Sequence, residues 1–188
     1  MNKGRLIILS GPTASGKSTL WRRLVLHPQA TFSVSATTRD QRNGEENGRD
    51  YFFIGVDEFK DKINKGEFLE WAKVHGNYYG TLREQVTKIV DGGQDVVLEI
   101  DVQGYSQIAQ SQFKCVSLFV APPSREILIK RLVDRGTEDA NQIATRLEIV
   151  DQEMKFLDQY DYCFVNDDFE TMLGEIEKIL GYTSNYHG

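Results

Sequence analysis

The chain is poor in the residues that staple a fold or ligate a metal: its 188 residues include two cysteines and three histidines. Cys115 and Cys163 lie in separate short apolar runs, Cys115-Val116-Ser117-Leu118-Phe119-Val120 and Tyr162-Cys163-Phe164-Val165. That setting predicts buried structural thiols rather than a disulfide framework. His27, His75 and His187 show no ligand spacing with one another or with the cysteines, so no structural metal is expected. Positive charge is also scarce. Twenty-two Lys and Arg against 28 Asp and Glu leave a net charge of −6. A chain that coats nucleic acid or an anionic membrane needs a basic face, so neither partner is expected.

No apolar run approaches the ~20 residues of a membrane span, and Met1-Asn2-Lys3-Gly4-Arg5 leads into an apolar segment without a signal-peptide pattern. A cytoplasmic location is therefore expected. Repeats and low-complexity tracts are missing, and Tyr182-Thr183-Ser184-Asn185-Tyr186-His187-Gly188 reads as a frayed polar tail without a role. What remains is a length that suits one domain with a real apolar centre.

The most informative segment is Gly11-Pro12-Thr13-Ala14-Ser15-Gly16-Lys17-Ser18, preceded by the apolar run Leu6-Ile7-Ile8-Leu9. Two glycines five apart, then Lys and Ser, describe a tight turn whose backbone N–H groups surround a polyphosphate at a helix N-terminus. Lys17 would reach the β- and γ-phosphates, and Ser18 would place its hydroxyl on Mg²⁺. Thr19 to Leu26 shows apolar residues at helical spacing, so strand, loop and helix follow in the required order.

Further buried parallel strands are predicted at Phe32–Ser35, Val96–Ile100, Val116–Val120 and Cys163–Val165, with helical patterns between most of them. This alternation predicts an α/β fold: a five-stranded parallel sheet flanked by helices, with ligands at the carboxyl ends of the strands. Two stretches interrupt it. Residues 36–92 look inserted, with a polar run from Thr37 to Gly48, strand-like Tyr51–Ile54, a helical Val56–Asn64 and a strand Phe68–Ala72. Residues 124–154 are helix-rich, carry Arg125, Arg131, Arg135 and Arg146, and have Gly136 as a hinge or helix stop, a pattern that suits a closing lid. Residues 1–35, 93–123 and 155–188 form the remaining core.

A phosphate loop implies a nucleoside triphosphate; the acceptor has to come from elsewhere. Arg39, Arg42, Glu45, Arg49, Asp50 and Tyr51 offer charged forks and a hydroxyl in a glycine-punctuated loop, and Tyr78-Tyr79 adds further hydroxyls, a set that suits a second phosphate.

These segments resemble the guanylate kinase family. The likeness runs through Gly-Pro-x-x-x-Gly-Lys-Ser-Thr at Gly11 to Thr19, Ser33-Val34-Ser35-Ala36-Thr37-Thr38-Arg39, and Gly66-Glu67-Phe68-Leu69-Glu70-Trp71. It continues through Gly76-Asn77-Tyr78-Tyr79-Gly80-Thr81, Glu99-Ile100-Asp101-Val102-Gln103-Gly104, Arg135-Gly136-Thr137 and Val165-Asn166-Asp167. The resemblance implies the P-loop nucleoside monophosphate kinase fold, with residues 36–92 as a GMP-binding insertion and 124–154 as the lid. It also implies transfer of the γ-phosphoryl of ATP, with Mg²⁺, to GMP and by extension dGMP, in purine nucleotide metabolism.

Carried over by position, Arg39, Arg42, Tyr51 and Tyr79 belong to the GMP phosphate clamp, Glu45 falls on the same GMP side, and Ser35, Glu70, Thr81 and Asp101 read guanine. Arg131, Arg135 and Arg146 fall to ATP phosphates and the transition state, and Asn166 and Asp167 to the adenine side. Glu99 and Asp101, at the end of the Val96-Val97-Leu98 run, either organise Mg²⁺ waters or touch the acceptor nucleoside.

The base-reading set has its own chemistry. One carboxylate can accept from both N1–H and the 2-amino group of guanine, while hydroxyls donate to O6; adenine would leave that carboxylate unpaired. Two rival readings of the scaffold are weaker. A non-catalytic interaction module would lack much of the phosphate loop, and a sugar-phosphate kinase would have no use for Glu70 with Ser35 and Thr81. Two positions depart from the family pattern: Ala14, in the phosphate loop, tolerates positive φ less well than glycine, and Glu99 stands where many relatives have Asp.

Overall fold

The computed structural model describes residues 3–74, 76–111, 113–134 and 140–182. In chain order the elements are β1 (Leu6–Ser10), α1 (Lys17–Leu24), β2 (Ala30–Phe32), β3 (Ala36–Thr37), β4 (Phe52–Phe53), α2 (Val56–Asn64), β5 (Phe68–Val74), β6 (Asn77–Leu82) and α3 (Arg83–Asp91). They continue with β7 (Asp95–Glu99), α4 (Val102–Gln110), β8 (Cys115–Ala121), α5 (Arg125–Asp134), α6 (Ala140–Glu153), a 3₁₀ turn over Met154–Gln159, β9 (Tyr162–Val165) and α7 (Phe169–Leu180).

The predicted parallel sheet is present, in the order β2-β7-β1-β8-β9. β1 lies at its centre and is buried throughout. Ile7 and Leu9 pack with Leu20 and Leu24 of α1 and with Met172, Leu173 and Ile176 of α7. Leu6 and Ile8 face Val86 of α3, Tyr105 and Ile108 of α4, and Tyr160. Both faces are thus covered, which is why β1 reads as an unbroken apolar run rather than an alternating one.

Three sequence expectations need correction. The strand expected at Phe32–Ser35 lies earlier, at Ala30–Phe32, where it pairs with β7 from Ala30 opposite Asp95 to Phe32 opposite Val97. Beyond Phe32 the chain leaves this sheet, because Ala36 and Thr37 pair with β4 and β6 in a second one. The thiols are less buried than expected: Cys115 is half-buried and Cys163 exposed, since β9 is an edge strand. Tyr182 does not belong to a frayed tail. It is 4% exposed, stacks on His27 at 4.3 Å and donates its hydroxyl to Asp95 at 2.9 Å. Asp95 is a buried carboxylate and needs such donors; Arg5 supplies others, from its backbone N–H at 2.7 Å and its Nη2 at 2.6 Å. Residues 183–188 lie outside the described residues.

The second sheet has the order β4-β3-β6-β5 and a small core of Ala36, Phe59 and Phe68, with Phe59 and Phe68 stacked at 4.3 Å. Antiparallel β5 and β6 shift register between Phe68 and Glu70. That irregularity has a functional consequence. A bulge re-aims the side chains that follow it: Leu69 enters the main core, while Glu70 pairs with Thr81 and lines a cleft.

Candidate active site

The phosphate loop leaves β1 at Ser10 and enters α1 at Lys17. Gly11 has φ 135° and Gly16 φ 104°. A Cβ on Gly11 would meet the Val120 carbonyl at 2.1 Å, and one on Gly16 the Asn166 side-chain nitrogen at 2.2 Å. Both positions therefore require glycine by conformation and by space. Ala14 is held at φ 59°, a left-handed conformation that costs a non-glycine residue roughly 1–2 kcal/mol. Its methyl is buried with Leu128 and Leu132 of α5 and Val150 of α6, an apolar contact that offsets the strain and joins the loop to the lid candidate.

Lys17 Nζ donates to the carbonyls of Gly11 at 2.5 Å and Pro12 at 2.7 Å, folding back across the loop mouth. Two arginines of α5 and α6 reach the same loop. Arg131 donates to the carbonyls of Ala14 at 3.4 Å and Asn166 at 3.1 Å, and Arg146 donates to the Thr13 hydroxyl at 3.4 Å. Arg135, Gly136 and Thr137 lie outside the described residues. Beside the loop, a hollow of about 460 Å³ is lined by Gly16, Thr19, Arg131, Asn166, Asp167 and Phe169 among others. Arg131, Asn166 and Asp167, expected on the ATP side, are thus brought together.

A larger cleft of about 710 Å³ lies between the two sheets and gathers Ser35, Tyr51, Glu70, Tyr79, Thr81, Glu99 and Asp101. Glu70 is 9% exposed, and burial, the dominant cause, raises its pKa above the ordinary carboxyl range; Thr81 opposes the shift and Asp101 adds to it. Thr81 donates its hydroxyl to Glu70 Oε1 at 2.6 Å. A threonine has one proton to give, so Thr81 orients the carboxylate here and cannot also donate to a bound ligand. Asp101 caps α4, accepting from the Gly104 N–H at 2.8 Å.

Arg39 stands at the cleft's edge. It pairs with Glu45 at 2.7 Å and lies over the Tyr51 ring at 5.6 Å. Glu45 is lowered below the usual carboxylate range, first by its bond to Arg39 and then by the Arg42 backbone N–H. The Arg42 side chain is exposed and does not line the cleft.

Phosphate loop and cleft meet at one bond: Ser18 Oγ donates to Glu99 Oε1 at 2.8 Å, and Glu99 lines the cleft. Sequence reasoning missed Ser33, whose hydroxyl is buried in the cleft wall without a hydrogen-bond partner among the described residues. Its spacing of two from Ser35 was the available signal. Trp21 and Phe32, in edge-to-face contact at 5.9 Å, form an apolar wall that was also not anticipated.

Known proteins bear on this arrangement. The guanylate kinase family profile matches residues 3–182. The chain belongs to the guanylate kinase family. The guanylate kinase of Clostridium tetani is 42% identical over 180 residues, covering 96% of this chain and 86% of that protein. That of Nostoc sp. is 47% identical over 178 residues, covering 94% and 89%. The crystal structure of guanylate kinase from Anaplasma phagocytophilum matches with a TM-score of 0.71 at 35% identity, covering 96% of this chain and 86% of that one. The fold class is accordingly that of P-loop nucleoside monophosphate kinases, and no helix among the described residues is long and apolar enough to cross a membrane.

Proposed function

We infer that the chain transfers the γ-phosphoryl group of ATP to GMP, giving ADP and GDP, with the triphosphate in the Gly11–Ser18 loop and GMP in the cleft. The Ser18–Glu99 bond carries this reading, because it puts the last residue of the donor loop in contact with the acceptor wall. Phosphoryl transfer asks mainly for positioning and charge compensation. Lys17 would exchange the Gly11 and Pro12 carbonyls for phosphate oxygens, and Arg131 and Arg146 would follow from the lid, with Arg135 assigned by position. Arg39, Arg42, Tyr51 and Tyr79 would hold the acceptor phosphate, with Glu45 fixing Arg39.

In the base pocket, Glu70 would accept from N1–H and the 2-amino group, Ser35 would donate to O6, and Asp101 would face the same base. Substitution of adenine would strand Glu70 in a buried pocket, which supplies selectivity.

The donor set at the loop's end suits Mg²⁺, which prefers hard oxygen ligands and keeps several waters. Ser18 would be a direct ligand, and Glu99 would act through water. When bound, the ion would offset charge on the β- and γ-phosphates. We take residues 36–92 as the acceptor segment and 124–154 as the lid, whose closure would keep water from competing with GMP. The nucleotide substrates support a cytoplasmic location.

A coupled assay offering ATP, Mg²⁺ and a panel of nucleoside monophosphates should show GMP as the preferred acceptor. Purified chain inert toward every monophosphate would end this reading.

A further inference from the structure

The resemblance places Asn166 beside adenine, but its side chain is occupied otherwise. Asn166 is 6% exposed, and its Nδ2 donates to the Ser15 carbonyl at 2.7 Å. The amide nitrogen must face that carbonyl, since the amide oxygen there would set two acceptors against each other. The position is fixed from two further directions: the Asn166 N–H donates to the Ala121 carbonyl at 2.9 Å, and Arg131 donates to the Asn166 carbonyl at 3.1 Å. Asn166 Nδ2 is also the atom that a Cβ on Gly16 would strike, so the asparagine and the loop were fitted to each other.

In a planar trans peptide the carbonyl and the following N–H point in opposite directions. Pinning the Ser15 carbonyl toward Asn166 therefore turns the Gly16 N–H away from the Asn166 side chain. We propose that Asn166 is a positioning residue of the donor site: its side-chain amide aims the Gly16 N–H at the polyphosphate, independently of the base. This rests on the assignment of the loop to a triphosphate. A donor held in place before the charge arrives is worth more than one that must turn to meet it, so the benefit falls on the phosphate chain and on the transferring group.

The test uses Asn166→Asp, which keeps the shape but removes the donor, and Asn166→Ala, which removes the donor without adding charge. Calorimetry on the full chain compares inorganic triphosphate, ATP and GMP. Both variants should lose affinity for triphosphate and for ATP by a similar factor of about tenfold, roughly 1.4 kcal/mol, while GMP binding stays within about twofold. In turnover, kcat should fall with the KM for GMP unchanged. Loss of ATP affinity with triphosphate affinity intact would make Asn166 a base reader and overturn the proposal. So would full triphosphate binding by Asn166→Ala, or loss of GMP binding in both variants, which would make the side chain a support of the fold. Wild-type chain that binds no triphosphate would instead defeat the functional reading itself.

Discussion

The proposed donor and acceptor halves of the site are built from different materials. The proposed donor loop is eight consecutive residues, six between β1 and α1 and two in the first turn of α1, and its contacts run largely through backbone: Lys17, Arg131 and Asn166 all donate to main-chain carbonyls of Gly11, Pro12, Ala14 or Ser15. The proposed acceptor cleft is made of side chains from distant parts of the chain, with Glu70 on β5, Thr81 on β6 and Glu99 on β7; Thr81 bonds to Glu70 within it, and Arg39 pairs with Glu45 at its edge. Backbone positions tolerate few substitutions but need only one motif. A side-chain pocket can be retuned residue by residue, and on the proposed reading it is there that selectivity would reside.

Lys17→Ala should give the largest loss, on the order of 10³-fold in kcat, with GMP binding retained by calorimetry. Equal loss of GMP binding would mean that the two halves are not separable. Glu70→Gln comes next. Selectivity for GMP over AMP should drop by on the order of 10²-fold or more, measured as a ratio of kcat/KM values.

The same substitution carries a pH signature. The folded-state pKa of Glu70 is raised, chiefly by burial, so the carboxyl favours the fold at low pH and that contribution is lost as pH rises through the raised value. Binding guanine requires the ionised form. Acceptor kcat/KM should therefore fall on the acid side at a pH above that of an ordinary carboxyl, and Glu70→Gln should remove that limb. At a pH above that raised value the variant should also melt at a higher temperature than wild type, a gain in stability at the expense of function.

Arg39→Ala should cost on the order of 10²-fold in kcat/KM for GMP, because Arg39 is held by Glu45 and lies over Tyr51 at the cleft edge. Arg42→Ala, with an exposed guanidinium, should cost less. Equal losses would show that the acceptor loop rearranges around the phosphate.

The same contrast explains what the sequence revealed. Leu6 to Leu9 announced β1 because burial on both faces leaves no polar position, and Val56–Asn64 formed the expected helix as α2. The phosphate loop was legible because its geometry is local. β6, by contrast, carries Asn77, Gly80 and two tyrosines, a mixture without strand periodicity, and it is ordered by pairing with β5. Glu70 was named as a candidate, but the bulge that turns it into the cleft arises between two strands and leaves no local mark. Thr81 was expected to donate to the base, and its commitment to Glu70 depends on that same pairing. The Asn166 clamp joins residues 151 positions apart, beyond the reach of any spacing rule.

The smallest effect tests whether the two halves respond to protons in opposite directions. Glu153, at the end of α6, is half-buried, and burial pushes its carboxyl up to about 7; Lys17 opposes the shift and Asp101 adds to it. Below that value the neutral carboxyl leaves Lys17 available to phosphate. Above it the carboxylate becomes a rival partner, so the KM for ATP should rise between about pH 6 and about pH 8. The rise should be roughly two- to fivefold, the range of a partly solvated ion pair. Glu153→Gln should flatten that curve and leave the acceptor limb governed by Glu70 in place. Donor and acceptor KM values that moved together with pH, or a Glu153→Gln profile identical to wild type, would show that Lys17 does not feel this carboxylate during turnover.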